Sequence, residues 1–124
     1  MMKEKNRSSK GKEGEDAAVA FLMSNGLEIR ERNFRCPAGE IDIVASDRRS
    51  TIFVEVRSRH TDRFGSPEES IVALKRRRIV QAAHWYLKKH CLFGSPARID
   101  VVTIRWKGKE PDVTWIPNAI ESHS

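Results

Sequence analysis

The chain has 124 residues, enough for one domain with a sizeable core, and its 32% charged and 39% hydrophobic residues suit a soluble globular protein. Its net charge of +6 favours a polyanionic partner, most often nucleic acid, against the plainer case of a basic surface with no such partner. No apolar run approaches the ~18 residues of a membrane span, and the opening MMKEKNRSSKGKEG lacks the apolar stretch of a secretion signal.

Residues 1–12 are basic and polar, with Lys3, Lys5, Arg7, Lys10 and Lys12 against Glu4. They read as a flexible basic segment ahead of a domain at 13–120. From Gly14 the pattern becomes helical, and Asn25-Gly26 stops it, since glycine is the usual residue just past a helix end. LEIRERNFR reads as a strand, and Pro37-Ala38-Gly39 as a turn. GEIDIVA and TIFVEVR read as two more strands around SDRRS. A long helix is expected from SPEES, with Ser66 as N-cap, Pro67 at the first helical position and Glu69 completing a capping box. It should end near Lys88-Lys89, where the helix dipole favours cations. ARIDVVTIRW then forms a strand, Lys107-Gly108-Lys109 a turn, and DVTWIP a short last strand. The order is αβββαββ. Cys36 and Cys91 match no metal or redox spacing. Reduced core cysteines are the simpler reading, and a disulfide stays open. Together these features point to the cytoplasm.

The second and third strands raise a chemical question. Joined by a symmetric loop of four residues, they place Ile41 opposite Val56, Ile43 opposite Val54 and Ala45 opposite Ile52. That face is apolar and is expected to be the core side. On the other face Val44 opposes Phe53, Asp42 opposes Glu55 and Glu40 opposes Arg57. The alternation is clean on both strands, and a slip of one residue would invert one of them. Asp42 and Glu55 would then lie ~5 Å apart at Cβ, and like charges directly opposed on a sheet are destabilising. A divalent cation held by hard oxygen ligands would offset the repulsion. So would a raised pKa on one carboxyl, or plain solvent screening on an exposed face. Glu15 adds a third acid. On a helical projection it is bordered by Ala18, Val19 and Leu22; the plainer reading is a first-turn Glu stabilised by the helix dipole. Acids at 15, 42 and 55 would build a metal site between a helix and a sheet.

An acid on the first helix, Asp42 within GEIDIVA, and Glu55 with Arg57 in FVEVRSR together resemble the PD-(D/E)XK nuclease superfamily. More closely, they resemble the YraN-like family of predicted endonucleases. FGSPEESIVALKRRRIVQAAHWYL and RIDVVTI extend the resemblance over roughly residues 11–120. It implies a restriction-endonuclease-like core, a mixed β-sheet flanked by α-helices. It also implies a Mg²⁺- or Mn²⁺-dependent nuclease that hydrolyses DNA phosphodiesters, in DNA repair or recombination. Asp42 and Glu55 match the metal-binding acids, Glu15 the first-helix acid, and Gln81 falls where an auxiliary polar residue is often found. Arg57 stands where the superfamily usually has lysine. Arginine stays protonated, so Arg57 suits phosphate or transition-state charge better than general-base work. The alternative function is a catalytically silent nucleic-acid-binding module with the same fold.

A nucleic acid would be gripped by Arg32 and Arg35 on the first strand, Arg59 beyond the acids, and Lys75 and Arg78 in LKRRR of the long helix. The plainer reading of that charge run is a solvated helix face. Trp85, Tyr86, Trp106 and Trp115 read as core or interface residues. His60, in the loop after the acids, is placed to assist proton transfer, and His84, His90 and His123 have no ligand-like spacing. Apolar residues on the last strands leave room for a homodimer.

Overall fold

A computed structural model describes residues 2–59 and 73–120, with side chains described for 11–58 and 76–120. Helix α1 (Met2–Ser24) begins well before Gly14. Residues 2–12 belong to this helix: Lys, Glu, Met and Arg are strong helix formers, and the ~1 kcal/mol cost of Gly11 does not stop propagation. The helix ends as its sequence predicts. Leu27 donates its N–H to Leu22 O at 3.1 Å and Gly26 donates to Met23 O at 3.0 Å, with Gly26 at φ 90°. This is the Schellman arrangement, which needs a left-handed residue at that position.

Five strands follow the order β1-β2-β3-β4-β5 across one sheet. They are β1 (Glu28–Cys36), β2 (Gly39–Ser46), β3 (Thr51–Arg59), β4 (Ala97–Lys107) and β5 (Glu110–Ile120). Helix α2 (Ala73–Lys89) lies between β3 and β4 in the chain. Among the described strands, β3 and β4 run parallel and the other neighbours antiparallel. The expected α/β class and the order αβββαββ hold. The last strand is longer than DVTWIP. The expected helix start at Ser66, Pro67 and Glu69 lies outside the described residues, as do His60 and His123.

Both faces of the sheet are covered. Ala18 and Leu22 of α1 pack with Ile43, Ala45, Ile52, Val54, Val102 and Ile104. Ile79, Ala82, Ala83 and Tyr86 of α2 pack on the other face with Val44, Phe53, Ile99 and Val101. The expectation of one core face on the hairpin is therefore corrected. Val44 and Phe53 are as buried as Ile43 and Val54, because a helix crosses each side. Gly14 permits the approach of α1: a Cβ there would lie 2.9 Å from Cβ of Ser58.

The loop from β2 to β3 has four residues, since Ser46 pairs with Thr51. Asp47 Oδ1 accepts the N–H groups of Arg49 and Ser50 at 2.8 and 2.7 Å, which closes it. The end of α2 repeats the Schellman arrangement, with Leu92 N–H to Leu87 O at 2.7 Å and Cys91 N–H to Lys88 O at 3.2 Å. Here Cys91 occupies the left-handed position, at φ 57°. It is exposed rather than in the core, because that position ends the helix. Cys36 is half-buried, and both thiols are free.

Candidate functional site

The predicted pairing of β2 with β3 holds from Ser46↔Thr51 to Ile43↔Val54 and then stops. Beyond that point β3 stays in the ladder with β4 as far as Arg59↔Arg105. Asp42 bridges the gap where β2 leaves: its Oδ2 accepts the N–H of Val56 at 2.9 Å. A side-chain carboxylate thus occupies the place of a strand carbonyl.

The cause of this divergence lies in two facing positions. Arg32 pairs with Ile43 and Phe34 with Ile41. In a regular strand, residues two apart share a face. Yet Arg32 reaches α1 while Phe34 joins the α2-side core. Likewise Ile43 packs on the α1 side and Ile41 on the α2 side. Both strands turn over between these pairs, at Asn33 and Asp42. Asn33 sits at φ 57°, a conformation that asparagine tolerates better than most residues. The expected contact of Ile41 with Val56 is lost at this twist. The expected Glu40–Arg57 pair is replaced as well: Glu40 lies 3.9 Å from Arg35 across β1, and Arg57 Nε lies 3.7 Å from Glu55 Oε2.

Asp42 and Glu55 do come together. They line one open cleft with Arg35, Gly39, Glu40 and Arg78. Glu55 is only 5% exposed. Burial pushes the Asp42 carboxyl up to about 7, and repulsion from Glu55 adds to the effect. Glu15 and a hydrogen bond with Glu55 contribute further, while the Val56 N–H opposes the rise.

Glu15 approaches from the other side. Asp42 also borders a second cleft, beneath α1, with Lys12, Glu15, Arg32 and Ser58. Glu15 does not join a three-acid cluster. Its Oε1 accepts from Arg32 Nε at 3.0 Å, Arg32 Nη2 at 2.8 Å and Asn33 Nδ2 at 3.3 Å. Among the described residues, no group of three or more His, Cys, Asp or Glu is placed to hold a metal ion.

The cations divide in the same way. Arg32, expected to bind phosphate, is held by Glu15 and by Asp16 Oδ1 at 2.6 Å. Arg35 and Arg78 are exposed and face the Asp42–Glu55 cleft. Arg57 is mostly buried beside Glu55, and its Nε has no hydrogen-bond partner among the described residues. Arg59 and Lys75 belong to β3 and α2, but their side chains lie outside the described residues.

Sequence reasoning missed Gly14, which brings α1 against β3, and Asp16 and Asn33, which help to fix Arg32 and Glu15. The signal for Asn33 was present: a residue that favours φ > 0 in the middle of a strand pattern.

A family model described as "Uncharacterised protein family UPF0102" matches residues 14–104. The chain belongs to the UPF0102 family. This is the YraN-like family that its motifs resemble. A UPF0102 protein of Syntrophotalea carbinolica is 43% identical over 115 residues, covering 93% of this chain and 94% of that protein. One from Desulfosudis oleivorans is 44% identical over 117 residues, covering 94% of each. One from Persephonella marina is 48% identical over 95 residues, covering 77% of this chain and 82% of that protein. These names carry no reaction. Among the described residues, no helix of this UPF0102 protein is long and apolar enough to cross a membrane.

Proposed function

We propose that this chain is a divalent-metal-dependent nuclease of PD-(D/E)XK type, with a restriction-endonuclease-like core, acting on phosphodiester bonds of DNA. One observation carries the reading. Asp42 and Glu55 lie together where β2 and β3 part, and the Asp42 carboxyl is pushed up to about 7 by burial first and by repulsion from Glu55 second. Two crowded carboxylates beside open space fit Mg²⁺ or Mn²⁺, which commonly takes one or two protein carboxylates and fills its other positions with water and substrate phosphate. Such a cation, when bound, would neutralise charge on the scissile phosphate and lower the pKa of a water.

The chain's own residues would do the rest. Asp42 and Glu55 hold the cation, and the Val56 N–H fixes the Asp42 carboxylate. Arg35 and Arg78, exposed at the cleft, attract and seat the phosphate backbone. Glu15, neutralised by Arg32, acts on Asp42 through its field rather than as a direct ligand. Arg57 holds Glu55 and keeps positive charge beside it. DNA repair or recombination would be the setting.

A second reading is favoured by Arg57 itself, which cannot give up a proton as the usual lysine can. The chain would then be a silent nucleic-acid-binding module. Cleavage assays on branched, duplex and single-stranded DNA separate the two, run with Mg²⁺, Mn²⁺ or EDTA. Metal-dependent cutting by the wild type that is lost in Asp42→Ala is the expected result. Cutting only by Arg57→Lys would indicate a silenced nuclease, and binding without cutting by any version would sink the enzyme reading.

A further inference from the structure

At the end of α2 away from the carboxylates, two large apolar side chains stand in solvent. Trp85 is 48% exposed and Phe93 is 59% exposed, although the sequence had placed Trp85 in a core or interface. With His84, Lys88 and Lys89 they line an apolar depression. The rings of His84 and Phe93 lie 6.0 Å apart at 49°, so the depression has aromatic walls. Its charged lining is entirely basic. One stripe of α2 runs between the depression and the cleft: Arg77, Arg78, Gln81, Trp85 and Lys88 are all exposed and recur at helical spacing. Arg78 lines the Asp42–Glu55 cleft, and Trp85 stands about 10 Å further along the helix at 1.5 Å per residue.

Aromatic faces set among cations, with no acid between them, suit a partner that combines flat π-surfaces with negative charge. An unpaired strand of nucleic acid is such a partner: its bases stack on aromatic rings and its phosphates seek cations. Duplex bases have their faces covered by neighbouring pairs and offer this platform little. We infer that Trp85 and Phe93 form a stacking platform for an unpaired base. Lys88 and the α2 arginines hold the flanking phosphates, so a strand can run from the platform to the Asp42–Glu55 cleft. The preferred substrate is then single-stranded, or branched with a single-stranded arm. This rests on the proposed nuclease reading for the cleft, and adds to it the form of the substrate.

The test uses the full chain in EDTA with a labelled oligothymidylate and a blunt duplex of equal length. Wild type, Trp85→Ala and Trp85→Phe are compared by fluorescence anisotropy, with circular dichroism and sedimentation as controls. Trp85→Ala should weaken oligothymidylate binding about tenfold, given a stacking contribution of roughly 1–3 kcal/mol per base, and duplex binding less than about twofold. Trp85→Phe should recover most of the loss, because a ring remains. Equal affinity of wild type and Trp85→Ala for the single strand overturns the inference, as does an equal loss on both substrates. If Trp85→Ala turns a dimer into a monomer with DNA affinity intact, the patch is a contact between copies and the inference falls. Adding Mg²⁺ or Mn²⁺ separates the two proposals. Trp85-dependent binding without cutting keeps the platform and removes the nuclease. Metal-dependent cutting of every substrate unchanged by Trp85→Ala does the reverse.

Discussion

Asp42 and Asp100 are both acids within apolar strands of one sheet, and their surroundings differ in kind. Asp100 is 0% exposed on β4. Its carboxylate accepts from Arg98 Nε at 3.0 and 3.2 Å, Trp115 Nε1 at 2.8 Å and the Asn118 N–H at 2.7 Å. Asn118 sits at φ 52°, near the irregular register of β4 with β5 between Ile99 and Val101. Asp100 therefore ties a distorted edge strand to the core, and its charge is answered by a guanidinium and two N–H donors. Asp42 has the Val56 N–H and the repulsion of Glu55. A buried acid with matched donors holds a fold together, whereas one crowded by a second acid beside open space is suited to a cation.

The largest test of that contrast removes Asp100. Asp100→Ala should destabilise the protein by about 3–5 kcal/mol in urea unfolding, because Arg98 and the Asn118 N–H lose a buried partner. Asp42→Asn in EDTA should cost little or stabilise, since it ends a repulsion while keeping an acceptor for Val56. Comparable losses in the two variants would break the comparison.

A middle-sized effect lies in pH. The folded pKa of Asp42, about 7, stands above its ordinary 3.8, so the native state holds the proton more tightly than the unfolded chain. The resulting stabilisation is complete below the unfolded value and is lost as pH rises through the folded one. Metal-free wild type should lose about 2 kcal/mol more than Asp42→Asn between pH 5 and pH 8, both pH values chosen to bracket the folded pKa. Millimolar Mg²⁺ or Mn²⁺ should restore stability at the upper end, which thermal melts would detect. Parallel pH curves for the two proteins would contradict the assignment.

The smallest effect separates the two neighbouring acids. Glu55 raises the Asp42 pKa more than Glu15 does. In a carboxyl titration followed by NMR, Glu55→Gln should lower the Asp42 midpoint clearly, and Glu15→Gln by less than about one unit. A larger shift from Glu15→Gln would move the candidate cation site beneath α1.

Much of the fold was legible in the chain. Apolar periodicity located both helices and the five strands, Asn25-Gly26 ended α1, and alternation in GEIDIVA and TIFVEV gave the pairing of Ile43 with Val54. Asp42 and Glu55 lie one step beyond the last rung of that pairing, so the alternation brought them near each other without giving their geometry. What failed depended on contacts outside the hairpin. Alternation describes a regular strand, so it could not reveal that Asn33 and Asp42 turn both strands over. Nor could it show that Arg32 pairs with Glu15 and Asp16.

Local sequence determined the elements and their order, because helix and strand periodicity and turn residues act over a few positions. The same source placed the two acids on neighbouring strands, next to the last rung at Ile43 and Val54. Only the tertiary structure decided which charges remain available. Gly14 lets α1 approach β3 and present Glu15 to Arg32. The parting of β2 from β3 leaves Asp42 to bridge the gap to Val56. The packing of α2 leaves Trp85 in solvent. Each outcome depends on distances between segments remote in the chain, and periodicity along one segment carries no information about them.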